Sequence, residues 1–245
     1  MAPQLLLACA AIAGIVLGAL SFGGTDLFAR SAPPFGMYIL ALSWKAEWCY
    51  HSPFPGCLKP EPWWRDHLTM HGLWPDNGDG TYPSFCTKEP FDHNAVVSAI
   101  GIEALEQYWP NVQKAEGSRD YIDFWSHEWT KHGTCTGLKQ VEYFGAAMAL
   151  LEALPTPAVI SGARGGTVAR ADIEAVLGGT GMAILNCEHG KYLSQVKGRE
   201  NCAESSRHTM FQALRRACVT SLFRSVECSN WGEIIIAASC KADRD

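Results

Sequence analysis

Two kinds of apolar spacing follow one another along this chain without a regular rhythm. Strand-like runs, short and partly alternating, cover residues 37–44, 68–73, 182–187, 192–196 and 233–238. Apolar positions at helical spacing cover 94–108, 121–132, 141–154 and 171–177, with a further candidate at 209–223. Strands separated by long helical stretches, with no repeating strand-helix-strand order, predict an α+β fold: a mainly antiparallel sheet packed by helices. The stretch 155–166, rich in Pro and Gly, reads as a surface loop. No internal repeat or low-complexity linker interrupts the pattern.

Composition narrows this further. With 245 residues, 47% hydrophobic and 18% charged, the chain is long enough for one large core. The apolar run at 5–20 is followed by small residues at 19–21 and again at 29–31. Residues 1–30 therefore read as a secretory signal peptide, with an n-region lacking Lys or Arg and two candidate cleavage points. The alternative is an uncleaved anchor, for which the run is short, since a span needs about 20 residues. The remainder, 31–245, is expected to be a single domain, secreted or lumenal, without stable membrane association.

Ten cysteines fit that compartment, because disulfides persist where thiols are oxidised. Cys9 falls in the signal, leaving nine. Cys49 and Cys57 flank a short Pro/Gly loop and are placed to pair locally. Cys187, Cys202, Cys218, Cys228 and Cys240 allow a nested arrangement, such as Cys202 with Cys218 inside a Cys187 bond. One cysteine is left over, free or intermolecular.

The densest chemistry lies in Phe124-Trp-Ser-His-Glu-Trp-Thr-Lys-His-Gly-Thr-Cys135. On a helix, at about 100° per residue, Phe124, His127, Glu128, Lys131 and His132 fall within an arc of roughly 140°. A solvated amphipathic helix with a Glu128/Lys131 pair is the plain alternative. Ionisable groups crowded on one face, however, shift one another's pKa values, as a proton-transfer site requires. Upstream, Leu68-Thr-Met-His-Gly-Leu-Trp-Pro-Asp supplies His71 on a short strand. Alternation puts Thr69, His71 and Leu73 on one face, and Pro75 with the following Asp/Asn/Gly turn is expected to stop the strand. Strand and helix together make a three-histidine site. A zinc helix needs H-E-x-x-H; here H-E-x-x-x-H sets His127 and His132 about 140° apart, so no metal or other cofactor is expected.

HGLWPD followed by FWSHEWTKHGTC resembles the two active-site segments of the ribonuclease T2 family of secreted acid endoribonucleases. The resemblance is close over residues 38–135 and loose beyond. It implies cleavage of single-stranded RNA through attack by the 2′-OH, giving 2′,3′-cyclic phosphate ends without metal. His132 would be the base, His71 the acid and His127 the phosphate holder, with Lys131 and Glu128 supporting the transition state. Trp74, Asp76 and Tyr82 match the residues that hold one base; Pro110, Asn111 and Phe124 resemble the second base pocket. Rings stack on bases and a carboxylate accepts from an exocyclic amine. The resemblance also implies a Cys86–Cys135 disulfide, clamping the two motif segments together. Ser126 departs from the family pattern, where Glu is common. The stretch 201–230, with Arg207, Arg215, Arg216 and Arg224, follows no recognisable pattern. His51, His67, His93, His189 and His208 have no motif support and read as surface or structural.

A monomer acting on RNA and not on DNA is expected, since DNA lacks the 2′-OH. The rival class is a secreted binding or storage protein of the same fold that has lost catalysis; retention of His71, His127, Glu128, Lys131 and His132 argues against it. The net charge of −5 would rise to +3 if all eight histidines were protonated, which predicts RNA cleavage in acid.

Overall fold

The computed structural model describes residues 35–180, 182–200 and 233–236. The expected signal peptide, the candidate helix at 209–223, the 201–230 stretch and Cys202, Cys218, Cys228 and Cys240 lie outside the described residues.

The α+β expectation holds. Among the described residues a six-stranded sheet runs in the order β2-β1-β5-β6-β3, with β4 paired to β5. All pairings are antiparallel except the single contact between β5 and β6. Strand β1 (Met37–Ser43) is buried along its whole length because β2 (Thr69–Asp76) and β5 (Tyr192–Glu200) flank it. β4 is Ala183–Glu188 and β6 is Glu233–Ile235. The short β3, Thr167–Ala169, has no matching apolar run in the sequence reading.

Two expectations for β2 are corrected. Pro75 lies inside the strand, paired with Tyr38, rather than ending it; β2 is at the sheet edge, where a missing N–H is tolerated. The alternation of Thr69, His71 and Leu73 is also broken. Ala41 faces Gly72 while Leu42 faces Met70, so His71 is the extra residue of a β-bulge. Thr69 and Leu73 are fully buried, whereas the His71 side chain keeps 25% exposure.

The helices are α1 (Lys45–His51), α2 (His93–Ile100), α3 (Ile102–Tyr108), α4 (Asp123–Lys131), α5 (Gln140–Ala153), α6 (Ala158–Ser161) and α7 (Arg170–Val176). The single helix expected over 94–108 is two, separated by Gly101 at φ +96°, a conformation open to glycine. The stretch read as a surface loop at 155–166 contains α6, which buries Ile160.

Behind the sheet, Trp44, Trp109, Trp125, Trp129, Tyr143 and Phe144 are all buried to 1% exposure or less. Buried indoles need acceptors. The N–H of Trp125 donates to the carbonyl of Trp109 at 2.8 Å, and that of Trp109 to the carbonyl of His71 at 2.8 Å. The aromatic core thus fixes the backbone at the bulge.

Disulfides Cys49–Cys57 and Cys86–Cys135 are both present, as expected, and Cys187 is also disulfide-bonded. Among the described residues no helix is long and apolar enough to cross a membrane.

Candidate active site

Helix α4 and the bulge of β2 meet at one cleft. α4 ends at Lys131, and His132 follows at φ −112°, ψ −50°, its N–H still donating to the carbonyl of Glu128. Gly133 lets the chain turn there: a Cβ on it would lie 2.3 Å from the Trp129 ring. The Cys86–Cys135 bond ties this end of α4 to the segment after β2, and the N–H of Phe85 donates to the carbonyl of Lys131.

Glu128 is the centre of the constellation and is 1% exposed. Its Oε2 accepts from the Trp74 indole N–H at 2.8 Å, and its Oε1 lies 3.8 Å from Nε2 of His71. Trp74 in turn stacks on His132, with centroids 5.2 Å apart and planes 26° apart. The His127 and His132 rings are 6.4 Å apart. Gly72 permits this approach, since a Cβ there would sit 2.1 Å from Glu128 Oε2 and 2.2 Å from Trp74 Nε1.

Burial sets the protonation states. It raises the Glu128 carboxyl to about 8, against the opposing Trp74 hydrogen bond and the Lys131 and Lys45 ammonium groups. It lowers His71 to about 3, assisted by Lys45, Lys197, His132 and His127. His132 falls to about 3 through burial, then Lys131 and His127. His127, more exposed, is lowered by burial and by Lys131. The 3.8 Å contact between His71 and Glu128 therefore has ion-pair geometry but joins a neutral imidazole to a carboxylic acid over most of the acid range. His71 and His132 do not add to the positive charge near pH 5, so the full +3 counted from all eight histidines is not reached in the free protein.

The model of the Ribonuclease T2 family matches residues 35–228. The chain belongs to the ribonuclease T2 family. It is 33% identical over 141 residues to extracellular ribonuclease LE of Solanum lycopersicum, covering 55% of this chain and 58% of that protein. To a ribonuclease-like storage protein of Panax ginseng it is 35% identical over 141 residues, covering 57% and 54%. The chain thus spans little more than half the length of these curated relatives. Among solved structures, RNase NT in complex with 5′-AMP superposes with a TM-score of 0.56 at 23% identity, covering 83% of this chain and 98% of that one.

The fold brings together the two motifs that carried the resemblance. Phe124 meets His71 edge to face at 5.4 Å. Tyr82, 53% exposed, lies 6.3 Å from His132. Asp76 accepts from the N–H of Gly78 and closes the turn after β2. Pro110 is buried. Asn111 is buried too, its amide donating to the Tyr121 carbonyl at 2.9 Å and its backbone N–H donating to the Tyr121 hydroxyl at 3.1 Å. These bonds anchor Asn111 in the fold. His67, expected to be surface or structural, stacks on Trp63 and pairs with its carbonyl.

Three residues beside these groups lie outside both motifs. Lys45, first residue of α1 and 4% exposed, places Nζ 5.6 Å from the Trp48 ring centroid and 5.9 Å from that of Phe124. Lys197 of β5 sits 5.3 Å over Trp74. Gln195, also of β5, hydrogen-bonds Nδ1 of His71. None lies in a motif; the β1–β5 pairing brings in Gln195 and Lys197, and α1, which follows β1, brings in Lys45.

His127 and His132 are closer than helical spacing predicts. Because α4 stops before His132, the donor atoms of His127, Glu128 and His132 come within 4.8 Å of one another. A cation bound there would have to displace the Trp74 hydrogen bond on Glu128 Oε2, deprotonate a carboxyl that burial raises to about 8, and sit beside the Lys131 charge.

Proposed function

We propose that the chain is an endoribonuclease that cleaves single-stranded RNA by transphosphorylation, leaving 2′,3′-cyclic phosphate ends. The observation that carries this reading is the convergence of His71, His127, Glu128 and His132 on one cleft, with Lys131 at the end of the same helix. His132, neutral down to about 3, takes the proton of the 2′-OH. The 2′-oxygen attacks phosphorus; the bond from phosphorus to the 5′-oxygen breaks, and His71 gives that oxygen a proton. His71 must be charged to do so. A phosphodiester anion in the cleft raises its proton affinity, so His71 takes up a proton from solvent before the step, its Nε2 3.8 Å from the neutral Glu128 carboxyl. His127, exposed at the rim, holds the phosphate, and the Lys131 ammonium stabilises charge on the phosphorane. The atoms balance without a metal, a redox partner or an activated water.

Trp74 and Tyr82 border the cleft and offer stacking faces for a base, in keeping with the nucleotide bound to RNase NT. The disulfides favour a secreted or lumenal setting. The test is direct: matched RNA and DNA oligonucleotides at pH 4 to 8 with EDTA, using the oxidised protein beside His71→Ala and His132→Ala. RNA-only cleavage that survives EDTA, yields cyclic phosphate ends and vanishes in both variants supports the reading. Absence of cleavage returns the protein to a storage or binding role, and abolition by EDTA overturns the mechanism.

A further inference from the structure

We propose that Gln195 is a positioning residue for His71: its side-chain amide, reaching across from β5, fixes the imidazole so that Nε2 points into the cleft. The inference rests on the reading of His71 as the general acid.

The fold places Gln195 with purpose. β5 pairs with β1 in a register that sets Gln195 beside Ser43, and the N–H of Trp44 donates to the neighbouring Ser194 carbonyl. The Gln195 side chain is 8% exposed and bonds Nδ1 of His71. The opposite ring nitrogen, Nε2, is the one that faces Glu128. Aromatic edges from Trp48, Trp74 and Phe124 surround the ring at 6.5, 5.2 and 5.4 Å, but none of them supplies a hydrogen bond that distinguishes one nitrogen from the other. Gln195 does.

An amide suits this position because it is ambident. It donates to bare Nδ1 and, after a half-turn, accepts from Nδ1–H. When His71 is charged and passes the Nε2 proton to the leaving oxygen, the remaining tautomer carries Nδ1–H, which the Gln195 carbonyl holds. A carboxylate there would do the same but would also stabilise the charged ring and make it a weaker acid. The cations facing His71 act in the opposite sense: Lys45 from α1 and Lys197 from β5 disfavour protonation, as do His127 of α4 and His132 at its end whenever they are charged. Glu128, protonated to about 8, adds no negative charge below that pH. A neutral orienting partner keeps the acid strong.

The experiment uses the oxidised full chain on an RNA dinucleotide, comparing Gln195→Leu and Gln195→Glu with the parent and with His71→Ala. Gln195→Leu is expected to lower kcat by about 10- to 100-fold with KM within about twofold. It should add no further loss in the His71→Ala background. Gln195→Glu should recover most of kcat and move the basic limb of the pH profile upward by about one unit or more. Parent-like kcat and pH profile in Gln195→Leu, or an equal loss when it is added to His71→Ala, overturns the inference while leaving His71 as the acid. Full activity of His71→Ala would instead remove the reading beneath it. Should Gln195→Leu fail to fold by near-ultraviolet circular dichroism, Gln195→Glu decides: an unmoved basic limb overturns the proposal.

Discussion

Trp74 donates its indole N–H to Oε2 of Glu128 at 2.8 Å while its ring stacks on His132 at 5.2 Å. One side chain thereby sets both the carboxyl and the base of the proposed reaction. Trp74→Phe keeps a ring for stacking and removes the donor. Because that hydrogen bond opposes the upward shift of the Glu128 carboxyl, its loss makes Glu128 still harder to ionise. Leaving a buried carboxyl short of a partner costs about 1–3 kcal/mol, readable as a lower midpoint in urea. An expected fall in kcat of about tenfold or more, with no change in RNA-over-DNA preference, checks the catalytic part.

Gly72 tests the same contact from the backbone. A methyl group there would collide with Glu128 Oε2 and Trp74 Nε1 at 2.1 and 2.2 Å. Gly72→Ala must therefore separate the two, at about 1–3 kcal/mol of strain. Far-ultraviolet circular dichroism should remain parental while kcat falls; retention of full activity would mean that the Trp74–Glu128 bond is dispensable.

Stability should depend on pH in two windows with opposite signs. His71 and His132 are lowered from 6.5 to about 3 on folding, so the unfolded chain binds more protons between those values, and stability falls as pH drops from 6.5 toward 3. Glu128 is raised from 4.5 to about 8; the folded chain binds more protons there, and stability falls as pH rises from 4.5 toward 8. Urea unfolding across pH 3 to 8 should find the His71→Asn, His132→Asn double variant less sensitive to acid below 6.5. Glu128→Gln should flatten the neutral window.

The motif histidines and the carboxyl beside them were legible because a short stretch of sequence carries them and helical spacing places them on one side. What the sequence hid came from tertiary pairing. No local pattern marks the bulge at His71, since it exists only in the register of β2 against β1; without it, simple alternation assigns His71 to the face of Leu73. Gln195 looks like an ordinary polar position of a strand, and Lys197 lies past the predicted strand end, until β5 is laid along β1. Lys45 carries no motif signal, yet it is buried beside Trp48 and Phe124. The end of α4 follows the same rule: an ideal helix continued through His132 separates it from His127, whereas α4 ends at Lys131.

The two disulfides should differ in what they hold. Cys86–Cys135 closes 49 residues and joins the segment after β2 to the end of α4; Cys49–Cys57 closes 8. Loop-closure entropy alone assigns about 4 kcal/mol to the longer and about 2.5 kcal/mol to the shorter. Replacing both members of each pair with Ser should lower the urea midpoint more for Cys86/Cys135. That variant should also lose activity at temperatures where it remains folded, because His132 sits three residues from Cys135. Equal losses of activity from both variants would refute this division.

Lys45 makes the last case. Burial lowers its ammonium to about 7, so in acid it is charged, packed between Trp48 and Phe124 and acting on both His71 and Glu128. Its charge disfavours a proton on His71 and favours ionisation of Glu128. Lys45→Met retains the apolar stem and removes the charge. The His71 proton affinity then rises, extending the basic limb of the pH–rate profile upward, while the proton becomes harder to give away and the plateau kcat falls. A pH–rate series on an RNA dinucleotide reads both at once. A higher limb with a lower plateau marks Lys45 as the group that keeps His71 acidic; a lower plateau with an unmoved limb would assign it to packing alone.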